Sequence, residues 1–191
     1  PAHVTAQLQQ SPILDPIQPG QRIAVGVGSR GIGCIQPVVA AVVDAIWARG
    51  AEPFLVPAMG SHGGGTAEGQ QDVLEGYGLG PETLGIPIES DMEAVQIGET
   101  PKGMPVFFDR FAAHADGILV VNRIKPHTSF RARWESGLLK MLAVGLGKRQ
   151  GAATYHAWRI ADAFAAAATV IRAQMPVLGG VGIVENGHHQ P

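Results

Sequence analysis

Three histidines, a lysine and an arginine stand where their chemistry would matter. His62 lies in Gly60-Ser-His62-Gly-Gly-Gly-Thr66, an imidazole among four glycines just after the apolar run Phe54-Leu55-Val56. Glycines let a backbone turn sharply and approach a ligand closely. Loops that leave strands are where α/β proteins keep reactive groups. The loop would form an anion nest here, with Ser61 and Thr66 adding hydroxyls and His62 as general base or ligand. Read alone, the stretch is equally well a turn with an incidental surface histidine. His127 sits in Asn122-Arg-Ile-Lys125-Pro126-His127-Thr128, where Arg123 and Lys125 make the place electropositive. Its plain alternative is a basic surface loop.

Lys140 has apolar neighbours on almost every side: Leu138, Leu139, Met141, Leu142 and Val144. Either it snorkels to water, or it turns inward, where its pKa falls and it becomes a nucleophile. His156 precedes Ile160, Phe164 and Ala168 at spacings of four. That places it on the inward stripe of one long helix, at its first turn; most such histidines are satisfied core residues. Gly26-Val-Gly28-Ser-Arg-Gly31 matches the dinucleotide fingerprint G-x-G-x-x-G. The acid that should end the next strand is absent, since that strand runs into Pro57-Ala58-Met59. Ser29 and Arg30 therefore read as a contact for a carboxylate or phosphate.

The elements that must position these groups alternate. Apolar patterning predicts strands at 23–28, 54–59, 117–124 and 177–185. It predicts helices at 36–49, from Thr66 to about Tyr77, 108–115, 136–147 and 157–174, with short strand candidates in 86–98 and at 104–108. This predicts an α/β domain with a mostly parallel, Rossmann-like sheet and helices on both faces. Ligands then sit beyond the carboxyl ends of the strands, where the loops 28–35, 59–66, 122–135 and 185–191 emerge. His62 and His127 are expected after neighbouring parallel strands, facing one cleft.

A chain of 191 residues with 46% apolar and 16% charged side chains predicts one globular domain, 1–191. A formal net charge of −2, with the signs interspersed, carries no footprint for nucleic acid or anionic lipid. The single cysteine, Cys34, rules out a disulfide framework within the chain and favours a cytoplasmic setting. No apolar stretch is long enough to span a bilayer. The start at Pro1 and the stop soon after Val181-Gly-Ile-Val184 suggest the first domain of a longer, two-domain polypeptide.

PAMGSHGGGTAEGQ, NRIKPHTSF, ESGLLKMLAVGLGK and TYH, in this order, resemble the amino-terminal domain of the nickel-dependent lactate racemase family. The resemblance runs from about Ile23 to Glu185 and implies a nickel-pincer nucleotide, a pyridinium mononucleotide whose two sulfur-bearing arms and a ring carbon grip nickel. It implies that Lys140 is the lysine able to join one arm and that His156 completes the nickel coordination. His62 and His127 match the two acid/base histidines. Arg30, with Ser29 beside it, matches the arginine that orients the substrate carboxylate. Gly63, Gly64 and Thr66 would lie near cofactor or substrate. Lactate racemases have an Asp-His-Thr segment before that arginine; here Val27-Gly28-Ser29 stands instead, which favours a related 2-hydroxy acid over lactate itself.

The implied reaction is racemisation or epimerisation of a small 2-hydroxy acid by proton-coupled hydride transfer. One histidine takes the hydroxyl proton while the pyridinium takes the hydride. The second histidine serves the opposite face of the flat keto acid. An ordinary histidine pKa of about 6.5 suits proton transfer in both directions. Rival readings are an NAD-dependent dehydrogenase on the Gly26 loop, a zinc hydrolase using His62, His127 and His156, and a ligand-binding domain without catalysis.

Overall fold

The computed structural model describes residues 2–29, 32–126, 135–158 and 160–186. Four parallel strands form the main sheet: β1 (Arg22–Val27), β2 (Glu52–Pro57), β5 (Gly117–Arg123) and β6 (Val177–Ile183), in the order β2-β1-β5-β6. A separate antiparallel hairpin joins β3 (Ala94–Glu99) to β4 (Pro105–Asp109). The helices are α1 (Ala2–Gln10), α2 (Ile35–Trp47), α3 (Ala67–Gly76), α4 (Pro81–Leu84), α5 (Arg110–Ala113), α6 (Leu138–Lys140), α7 (Lys148–Ala157) and α8 (Ile160–Gln174).

Both faces of the sheet are covered, which is why its strands read as unbroken apolar runs rather than as alternation. Ile23, Val25, Val27, Leu55, Leu119 and Val121 bury one face under α1, α2 and the segment around Leu74 and Leu79. Ala24, Phe54, Val56, Ile118 and Val120 bury the other against Phe108 of the hairpin and against Leu142, Tyr155, Phe164 and Ile171. The α/β architecture expected from the pattern is the one found. Among the described residues no helix is long and apolar enough to cross a membrane.

Three local expectations change. Residues 86–98 do not hold two strands: Ile88 makes only an isolated parallel bridge to Leu55, while β3 pairs with β4. The helix expected over 136–147 is a single turn, α6, followed by a wider π turn over Met141–Gly145, closed by Leu146 N–H donating to Met141 O at 2.8 Å. The helix expected over 157–174 is preceded by a separate one, α7, which ends at Ala157. Within α7, Tyr155 and not His156 takes the inward position: Tyr155 is buried edge-on against Phe164, with ring centroids 5.6 Å apart.

Candidate functional site

After β1 the chain crosses through α2 to β2, and later returns on the other side of β1 as β5. The order of winding therefore reverses between β1 and β5, where open parallel sheets form ligand crevices. Gly28 leaves β1 at this point. A Cβ there would stand 2.5 Å from Asn122 Oδ1 and 3.0 Å from Met141 Sδ, so the end of β1 is packed closely by side chains from the end of β5 and from the π turn. Gly26 is closed in likewise, its Cβ position 3.2 Å from Val120. The first two glycines of the fingerprint are thus spent on packing rather than on room for a pyrophosphate.

Ser29 follows and is half-buried. Its hydroxyl lies 2.5 Å from His62 Nδ1, and its carbonyl accepts the Tyr77 hydroxyl at 2.6 Å. His62 is exposed, at the start of a tight 3₁₀ turn, Gly63–Gly65, that leaves the end of β2. Gly60, Gly63, Gly64 and Gly65 all have positive φ, 62–69°, the left-handed region that costs other residues energy. Thr66 is the N-cap of α3, its hydroxyl accepting the Gly69 N–H at 3.0 Å. That cap sets the helix start although the sequence has no capping box there. The exposed Thr66 hydroxyl also lies 3.5 Å from Gly63 O.

The glycine loop also touches the π turn. Gly60 N–H donates to Gly145 O at 2.9 Å, and a Cβ on Gly145 would meet Ala58 O at 2.5 Å. Lys140, half-buried, immediately precedes this π turn. Elements carrying Ser29, His62 and Lys140 are therefore packed together at one sheet edge. π turns within helices recur at functional sites. His156 lies in the last turn of α7, exposed, and not on the inward stripe of the long helix; α7 packs against the π turn. Arg30 and His127 lie outside the described residues. The loop bearing His127 leaves β5, which is separated from β2 by β1, so His62 and His127 follow strands at the same edge but not neighbouring ones. A groove of about 600 Å³ opens beside Gly65, between Met92, Glu93 and Ala94 on one side and Arg149, Gln150 and Ala153 on the other.

Beneath the loop runs a buried polar network that the sequence pattern did not reveal. The Lys148 ammonium lies 3.0 Å from Asp109 Oδ2 and donates to Pro57 O at 2.9 Å and to Gln70 Oε1 at 3.1 Å. The Gln70 amide donates to Gly60 O at 2.9 Å and to His62 O at 3.2 Å. Burial pushes the Lys148 pKa down and the Asp109 pKa up, each opposed by the partner's charge. Lys148 was hidden by its place in Gly-Leu-Gly-Lys-Arg-Gln, which reads as a polar helix start. A second tie holds the β1–α2 loop: the Glu185 carboxylate accepts the Gly33 N–H at 2.7 Å and lies 3.4 Å from Arg123 Nε.

A family model, the lactate racemase N-terminal domain, matches residues 9–168. The fold is similar to that of the lactate racemase apoprotein from Thermoanaerobacterium thermosaccharolyticum, with a TM-score of 0.74 at 14% identity. The alignment covers 98% of this chain and 49% of that one, so the chain spans about half the length of its solved neighbour. At that identity the likeness speaks for the fold alone. No curated protein sequence matches. With the model match covering most of its length, the chain belongs to the lactate racemase N-terminal domain family.

Proposed function

We propose that this chain is the amino-terminal catalytic domain of a two-domain, cytoplasmic racemase or epimerase acting on a small 2-hydroxy acid. The observation that carries the reading is the Ser29–His62 contact at the edge of a domain that belongs to the lactate racemase family. A hydroxyl both donates and accepts. Ser29 can therefore accept a hydrogen bond from Nδ1–H while Nε2 takes the substrate hydroxyl proton, and it can keep accepting that bond when the ring is charged. That is the support a histidine needs if it must take and return a proton. His127 serves the other face of the substrate, and Arg30 holds its carboxylate by charge-assisted hydrogen bonds.

The donor set suits a nickel-pincer nucleotide. Among the described residues no group of three or more His, Cys, Asp or Glu stands ready for a bare metal ion. A metal that arrives gripped by sulfur and carbon needs one imidazole from the protein, and soft donors with imidazole suit nickel. His156 would hold the nickel and Lys140 one arm of the nucleotide. Gly63 and Gly64 would let the backbone close on the bound molecules. When bound, that cofactor supplies a pyridinium ring able to accept and return a hydride. An NAD-dependent reaction finds less support, because Gly26 and Gly28 are filled by packing.

The test is to express the full-length protein with the cofactor-making enzymes and to follow interconversion of D- and L-2-hydroxy acids by chiral chromatography. Nickel content and intact mass are measured in parallel. The reading expects racemisation or epimerisation that is lost in His62→Ala and His127→Ala, lower nickel in His156→Ala and no covalent adduct in Lys140→Ala. Nickel-loaded protein that interconverts no 2-hydroxy acid overturns the reaction; wild-type nickel and activity in both His156→Ala and Lys140→Ala overturn the cofactor assignment.

A further inference from the structure

Lys148 does not touch His62 itself, yet two of the three groups it holds, Pro57 and Gln70, lead to the loop that carries it. Its side chain is fully buried, and its three ammonium protons face three acceptors: Pro57 O, Gln70 Oε1 and Asp109 Oδ2. Pro57 is the last residue of β2, where the glycine loop begins. A lysine can only donate, so the Gln70 amide must present its oxygen to Lys148. Its nitrogen then faces the other way, onto the carbonyls of Gly60 and His62. One ammonium thus sets the orientation of one amide, whose nitrogen holds two carbonyls of the loop. Lys148 is also the one non-glycine residue with positive φ among the described residues, at 54°. Such a backbone persists only where its surroundings over-determine it, and such positions gather at functional sites.

Stability is a weak reason to keep this arrangement. A buried ion pair commonly contributes no more than well-packed apolar residues of the same volume would. What apolar residues cannot do is orient the Gln70 amide.

We propose that Lys148 is a positioning residue for the reaction assigned above: through Gln70 and Pro57 it fixes the loop that sets the His62 imidazole against Ser29. This rests on the proposed role of His62. Asp109 holds the ammonium in place, and Gln70 relays its orientation.

Two variants of the full-length protein test it. Lys148→Met combined with Asp109→Leu removes both charges together and leaves no unpaired ion. Gln70→Leu keeps the Lys148–Asp109 pair and removes only the donors to Gly60 and His62. Each is read by the ¹⁵N shifts of the His62 ring nitrogens, which report which nitrogen carries the proton, and by steady-state kinetics. Positioning predicts folded variants with altered His62 shifts. It predicts kcat lower by about ten-fold or more, because small misplacements are costly, with KM within about two-fold. Wild-type His62 shifts in a folded variant overturn the proposal, as does wild-type kcat. If the double variant does not fold, Gln70→Leu decides by the same readouts. If the wild-type protein interconverts no 2-hydroxy acid, the proposed function falls, and the ring shifts still decide the positioning.

Discussion

At the scale of single residues, two hydroxyls make opposite predictions. Ser29 Oγ contacts His62 Nδ1, while the Tyr77 hydroxyl is received by the Ser29 backbone carbonyl and survives truncation of the side chain. Ser29→Ala should therefore leave stability within about 0.5 kcal/mol and lower kcat by about ten-fold, as expected when a general base loses its orienting partner. Chemical denaturation with steady-state kinetics checks both, and an unchanged kcat would remove Ser29 from the site. Tyr155 carries the contrary case, a buried hydroxyl with no hydrogen-bond partner among the described residues. Tyr155→Phe should match wild-type stability or exceed it by up to about 1 kcal/mol. Burial also raises the Tyr155 pKa above its ordinary 10.0. Above that pH the unfolded chain releases the phenolic proton and the native protein keeps it, so stability falls as pH rises. Urea midpoints from pH 9 to 11 should fall less steeply for Tyr155→Phe than for wild type.

At the scale of elements, the glycine loop and the helix after it interlock. A Cβ on Gly69 would stand 2.1 Å from Gly63 O, although Gly69 lies within α3. Gly64 has a φ of +68° but open space where its Cβ would be. Gly64→Ala should cost about 1 kcal/mol, the strain of a left-handed backbone. Gly69→Ala should cost about 3 kcal/mol or more, because it drives the loop off its helix. Thermal unfolding of the two variants distinguishes them, and equal losses would mean that the steric lock is slack. Thr66→Ala, which removes the cap to Gly69 and a long hydroxyl contact to Gly63 O at 3.5 Å, should fall near 1 kcal/mol.

At the scale of the molecule, the hairpin β3–β4 shares no strand pairing with the main sheet among the described residues. Asp109, at the end of β4, meets Lys148, which reaches the end of β2 through Pro57 O. Asp109→Ala should destabilise by about 3–5 kcal/mol, because it strands a buried ammonium. It also removes the cap on Ala112 N–H, now 2.9 Å from Asp109 Oδ1. In hydrogen exchange, the amides of β3 and β4 should lose protection before those of β1 and β5. Simultaneous loss across both sheets would show that the pair does not couple the hairpin to the sheet.

Strands buried on both faces announce themselves, because any apolar run such as Ile118-Leu-Val-Val121 satisfies the requirement wherever it packs. The sequence alone therefore determined the alternation of strands and helices, the parallel sheet, and the placing of Ser29 and His62 in loops at its carboxyl edge. Family motifs carried the candidate roles of Arg30, His127, Lys140 and His156. Only the tertiary structure decided that β1 lies between β2 and β5, since strand order depends on long-range pairing that no local pattern encodes. Only it decided that His156 ends up exposed in the last turn of a separate helix, α7: His156 and Tyr155 are adjacent, and packing on Phe164 chooses Tyr155. Lys148, Asp109 and Gln70 lay beyond local reading for the same reason. They are 39 to 78 residues apart, and each reads as an ordinary polar residue until the fold buries them together, where they pair with one another and with backbone groups of the loop and of α5.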